Sequence, residues 1–129
     1  MTARLSRLVA LTQGLYFAAT GLWPLVSIMT FQMVTGPKTD LWLVRTVGVL
    51  VFVVGTVLIV AALRRRITPE ILLLAVGSAL GLAAIDVIYA SRGRISPIYL
   101  LDAAAELIVV AVWAFAWWRE RPARQPELR

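Results

Sequence analysis

Four stretches of this chain are apolar for longer than the core of a soluble domain requires, and nothing else in the sequence constrains the fold as strongly. They cover residues 8–34, 41–63, 69–90 and 95–118. A hydrocarbon layer about 30 Å thick takes about 20 apolar residues to cross as a helix, and each run reaches that length. Within each run apolar residues follow one another without the polar stripe of a soluble amphipathic helix. The connecting segments are too short to hold a further domain. The expected fold class is therefore all-α, a four-transmembrane-helix antiparallel bundle. Residues 1–118 form its single transmembrane domain, and residues 119–129, RERPARQPELR, form a disordered basic cytoplasmic tail, too polar and proline-rich to pack.

The net charge of +6 would suggest a nucleic-acid partner in a soluble chain, but its distribution argues otherwise. Arg4 and Arg7 precede the first run, Arg64, Arg65 and Arg66 follow the second, and Arg119, Arg121, Arg124 and Arg129 follow the fourth. Only Lys38, Arg92 and Arg94 fall on the opposite side. By the positive-inside rule this asymmetry puts both termini in the cytoplasm of an inner (plasma) membrane, with the arginines against lipid headgroups. Arg4 and Arg7 also resemble the basic start of a signal peptide, with Ala18, Ala19 and Thr20 as small cleavage residues. The apolar run continues well past them, so the first helix is expected to be retained.

Turn chemistry separates the runs. TGPKTD, residues 35–40, is a Gly-Pro turn; Thr68 is the expected N-cap before Pro69, and Ser96 before Pro97. Pro24 falls inside the first run, where it removes a backbone donor and crowds the Thr20 carbonyl, so a kink is expected there. Gly14, Ala18 and Gly21 share a face of the first run, and Gly48 and Gly55 stand a heptad apart in the second. Gly77 and Gly81 form a GxxxG in the third. All of these are small-residue packing signals, for which contacts within the chain are the favoured use.

Four charges interrupt the apolar runs: Arg45, Asp86, Asp102 and Glu106. At about 1.5 Å per residue from the outer helix ends, they lie roughly 6 to 16 Å deep, all in the outer half, with Glu106 nearest the midplane. A charge there costs at least about 2.5 to 3.5 kcal/mol, so these side chains should face inward and either pair or stay protonated. The matched depth of Arg45 and Asp102 suggests an ion pair, with Asp86 beside it. Glu106 is left without a basic partner, free to donate a hydrogen bond, accept a cation or exchange a proton. Tyr99 aligns with Glu106 on one helix face and Tyr89 with Asp86 on another. The candidate ligand-binding set is therefore Arg45, Asp86, Tyr89, Tyr99, Asp102 and Glu106. Trp113, Trp117 and Trp118 read as an interfacial belt, and Gln13 and Gln32 say little. The chain has no cysteine and no histidine, so no catalytic residue, metal ligand or cofactor site is assigned.

RTVGVLVFVVG, residues 45–55, and GRISPIYLLDAAAE, residues 93–106, each open a helix of a compact four-helix layout. In this the chain resembles the DoxX-like group of small bacterial membrane proteins. The resemblance implies a four-helix bundle in a bacterial inner membrane. Some of that group are linked to quinone or thiol redox systems, and the lack of cysteine does not fit a thiol role. Three functions are then open. The first is binding of an amphipathic or lipidic small molecule in an outward-facing polar pocket. The second is an accessory or assembly subunit with a purely structural charged core, contacting a membrane partner. The third is a proton-coupled small transporter working as a homo-oligomer. A cavity lined by the acids separates the first from the second, which expects a filled, dry core.

Overall fold

The structure, a computed structural model, describes residues 4–120. Five helices follow one another: α1 (Arg4–Val26), α2 (Ile28–Thr35), α3 (Leu41–Leu63), α4 (Pro69–Ser91) and α5 (Tyr99–Arg119). No strand occurs among the described residues. Helices α1, α3, α4 and α5 are each long and apolar enough to cross a membrane. Large apolar side chains cover much of the outside, Leu73, Leu101 and Ile108 among them, the arrangement expected of helices whose surroundings are hydrocarbon.

The tightest seam joins α1 to α3 and is made of glycine. A Cβ added at Gly21 would lie 2.5 Å from Phe52 N and 2.6 Å from Gly48 O, and one at Gly55 would lie 2.5 Å from Ala18 N. Backbone therefore meets backbone, and close packing replaces the hydrophobic drive that helices lack in lipid. Gly14 faces Gly55 while Gly21 faces Gly48, so the two helices pass each other in opposite chain directions. The GxxxG of α4 behaves otherwise. Nothing lies within 4 Å of a Cβ at Gly77 or Gly81, so this motif makes none of the intramolecular contact expected of it.

The first apolar run is interrupted more severely than a proline kink requires. Pro24 is buried inside α1, and the helix ends two residues later. Ser27 takes an extended conformation (φ −147°) and caps α2, accepting from Thr30 N at 3.3 Å. Trp23 Nε1 donates to Thr30 Oγ1 at 3.0 Å and its ring meets Phe31 edge-on at 5.3 Å, which fixes α2 against the end of α1. A single span was expected; the result is a helix plus a short capped one.

The other ends follow ordinary rules. Thr68 Oγ1 accepts from Ile71 N, with Pro69 at the first helical position of α4. Helix α3 closes with Arg65 in the left-handed region (φ 59°) and Arg66 N bonded to Ala61 O at 2.9 Å; α4 closes the same way through Gly93 (φ 72°) and Arg94 N to Tyr89 O at 2.9 Å. Before α5 the chain winds tightly from Ser96, with Tyr99 N bonded to Ser96 O and Leu100 N to Pro97 O. The helix therefore starts two residues after Pro97 instead of at it. At its other end α5 includes Arg119, and the buried Glu120 carboxylate accepts from Leu5 N and Ser6 Oγ at the start of α1. These two residues were assigned to the tail; residues 121–129 of that tail lie outside the described residues.

The half of the molecule near Ser6 and Glu120 is filled. Val9, Ala10, Leu58, Ala62, Ala75 and Trp113 form its core. Gln13, wholly buried, ties three helices there: its Nε2 donates to Ala75 O at 2.9 Å, and its Oε1 accepts from Trp113 Nε1 at 2.7 Å. Trp113 is 1% exposed. It is a core residue and not part of an interfacial belt, because its indole N–H has a buried acceptor that the Gln13 side chain supplies.

Candidate functional site

The opposite half is hollow. A cavity of about 510 Å³ lies among all five helices, within the range of about 300 to 1,000 Å³ typical of small-molecule sites. Val44, Val47, Gly48 and Val51 give one wall, the inward stripe of α3 at helical spacing. Helix α2 closes another through Phe31, Val34 and Thr35. That wall exists because the chain turns at Ser27, a consequence of the Pro24 region that sequence periodicity did not reveal.

Three acids reach the cavity: Asp86 from α4, and Asp102 and Glu106 one turn apart on α5. The carboxyl groups of Asp86 and Glu106 both lie beside that of Asp102. Asp86 is 5% exposed and Glu106 1%. Asp102 Oδ1 accepts the hydroxyl hydrogen of Tyr16 on α1. Asp86 Oδ2 and Glu106 Oε1 are buried and have no hydrogen-bond partner. Buried carboxyl oxygens are ordinarily satisfied, and leaving one bare costs about 1–3 kcal/mol or more.

Lys38 stands at the rim, from the turn after α2. Its Nζ donates to Thr35 O at 3.0 Å, to Thr35 Oγ1 at 3.1 Å and to Gly36 O at 2.8 Å, and it lies 5.2 Å from the centre of the Tyr99 ring. An ammonium has three hydrogens, so the turn itself uses them all. Lys38 clamps the TGPK turn over Tyr99 and has no donor left for the acids.

Of the six residues singled out by sequence, the cavity brings together Asp86, Tyr99, Asp102 and Glu106. Arg45 is exposed and makes no ion pair with Asp102 among the described residues. The reason is helical phase. The inward stripe of α3 runs through Val44, Val47 and Val51, and Arg45 sits about 100° away from Val44. Placed one turn from the helix start, its long side chain reaches outward. Tyr89 also stays out: it lies nearly a turn beyond Asp86, with the Arg92 guanidinium 6.0 Å from its ring centre. Tyr16 and Lys38 were missed. Tyr16 had a detectable signal, since at 100° per residue it lines up with Gln13 and Thr20 on one polar face of the first run.

The arrangement sets two unpartnered carboxyl oxygens in a cavity whose lining is otherwise mostly apolar. The three carboxyls do not form a group with metal-holding geometry among the described residues. No protein family, curated protein or solved structure matches the chain.

Proposed function

We propose that this chain is an inner-membrane protein of DoxX-like layout that binds an amphipathic or lipidic small molecule in a polar pocket open toward the outer face. In this reading the helices form an antiparallel four-span bundle with both termini cytoplasmic. The filled half around Gln13 and Trp113 then faces the cytoplasm, and the cavity, with Lys38 and Tyr99 at its rim, faces outward. Nine arginines of the sequence carry the orientation: Arg4 and Arg7 at the start of the first apolar run, Arg64, Arg65 and Arg66 after the second, and four at or beyond residue 119 after the last.

The observation that carries the binding reading is the pair of unpartnered oxygens, Asp86 Oδ2 and Glu106 Oε1, inside a cavity large enough for a ligand. Acids retained only to hold helices together would be expected to spend their lone pairs on protein donors. Calorimetric titration of the protein in lipid nanodiscs with eight-carbon amphiphiles tests it. Wild type should show a saturable component for at least one headgroup class, and Val47→Phe and Leu82→Phe, which fill the cavity, should lose it. Equal titration curves for wild type and both variants would sink the reading. Reporter fusions at Lys38 and at the C-terminus test the orientation: Lys38 on the cytoplasmic side would reverse it.

A further inference from the structure

The three carboxyls gathered in one cavity form no ion pair among the described residues. Lys38 is consumed by its own turn, Arg45 is exposed on the other side of the α3 stripe, and Tyr16 supplies one neutral donor to Asp102 alone. A buried carboxyl oxygen without a partner is costly in any low-dielectric site, and more so within a bilayer. A partner that brings positive charge offsets that cost.

It must also bring hydrogens. Asp86 Oδ2 and Glu106 Oε1 are hydrogen-bond acceptors without donors, so a cation with N–H groups satisfies them, whereas a quaternary ammonium, with none, leaves them bare. Most of the rest of the cavity is apolar or aromatic, with Phe17, Val51, Leu82 and the rings of Tyr16 and Tyr99 in its lining. Aromatic faces attract an organic cation, and aliphatic walls favour a hydrocarbon tail.

Resting on the pocket reading above, we propose that the ligand is a protonated primary or secondary amine with an apolar body. Its ammonium donates to Asp86 and Glu106, and its tail lies against Val47, Val51 and Leu82. Asp102, held by Tyr16, adds the charge that makes a neutral headgroup a poor substitute. Discrimination comes from both parts of the headgroup: a hydroxyl lacks the charge, a trimethylammonium lacks the hydrogens, and a carboxylate repels.

The test uses four probes with the same tail, octylamine, octanol, octyltrimethylammonium and octanoate, titrated calorimetrically into the full chain in phosphatidylcholine nanodiscs near neutral pH. Octylamine should bind saturably and about tenfold or more tighter than octanol and octyltrimethylammonium, and octanoate should show no saturable binding. Glu106→Gln and Asp86→Asn should each weaken octylamine about 10- to 100-fold while changing octanol little. Octanol or octyltrimethylammonium binding as tightly as octylamine in wild type would overturn the amine assignment and leave the pocket reading standing. Saturable binding of none of the four would remove both. The wild-type probe series decides the matter even where a variant fails to fold.

Discussion

Tyr16 on α1 donates its hydroxyl hydrogen to Asp102 on α5, so a phenol holds the carboxylate that sequence depth had assigned to Arg45. The exchange changes what the polar region can do. An Arg–Asp pair would have neutralised one acid and left the site with less net negative charge. A tyrosine satisfies a lone pair of Asp102 and adds no positive charge, and Asp86 Oδ2 and Glu106 Oε1 keep their unpartnered oxygens.

Tyr16→Phe should therefore loosen the junction of α1 and α5, at a cost of about 1.5–3 kcal/mol for a hydrogen bond to a charged group. Arg45→Ala should fall within about 0.5 kcal/mol of wild type, as exposed positions without partners do. Unfolding in mixed detergent micelles measures both. In a double-mutant cycle with Asp102→Asn, Tyr16 should couple and Arg45 should add; coupling of Arg45 instead would restore the ion pair and undo the site described here.

The glycines give a second contrast. Gly21→Ala and Gly55→Ala each place a methyl 2.5 Å from backbone atoms of the facing helix, and backbone cannot step aside as a flexible side chain can. Each should cost about 1–3 kcal/mol, as overpacking does. Gly77→Ala and Gly81→Ala meet nothing within 4 Å and should be neutral or gain up to about 1 kcal/mol from helix propensity. Thermal unfolding of the monomer in detergent separates the two pairs. Destabilisation of the monomer by Gly77→Ala would show that the α4 motif is packed after all.

Much of this architecture was legible because the membrane environment allows few solutions. Twenty-residue apolar runs leave little choice but helices, and a seam of Gly14, Gly21, Gly48 and Gly55 has little reason to exist unless two backbones touch there. Asp86, Asp102 and Glu106 could be placed inward because the alternative is a charge in hydrocarbon. Not all of it was legible, and three of the misreadings have a plain physical cause. Arg45 sits near a helix start, where a long side chain can reach the headgroup layer, so the cost argument loses its force. The turn at Ser27 depends on a capping serine next to Trp23 and Phe31 contacts that no periodicity encodes. Trp113 was misplaced because a tryptophan near a helix end reads as interfacial unless its buried acceptor, Gln13, is known.

The Gln13–Trp113 contact is testable on its own terms. Trp113→Phe keeps the aromatic bulk but leaves Gln13 Oε1 without its donor, which should cost about 1–3 kcal/mol. Gln13→Leu removes the acceptor, strands the Trp113 N–H and frees the Ala75 carbonyl, so the single losses should not add when combined. Tryptophan emission reports the site directly. In wild type the Trp113 contribution should be insensitive to aqueous quenchers and should become accessible only on unfolding. Ready quenching in the folded protein would return Trp113 to the surface.

Glu106 allows the sharpest separation of a ligand site from interhelical glue, because the two readings give opposite signs. Its Oε1 is buried without a partner and its neighbours include Asp102 and Asp86. If the acid served the fold, removing it would weaken the fold. If it is held ready for a ligand, the ligand-free protein bears the cost of an unsatisfied buried acid, and removal relieves it. Glu106→Met keeps an unbranched side chain of similar length, replaces the carboxyl by a thioether and accommodates irregular space. In detergent, with no octylamine added, it should raise the unfolding free energy by about 1–3 kcal/mol, the range for a buried unsatisfied polar group. Asp102→Asn should not, since Asp102 already accepts from Tyr16. Octylamine added to saturation should invert the order, stabilising wild type by mass action and leaving Glu106→Met unchanged. A Glu106→Met protein less stable than wild type in the absence of ligand would place Glu106 among the residues that build the bundle.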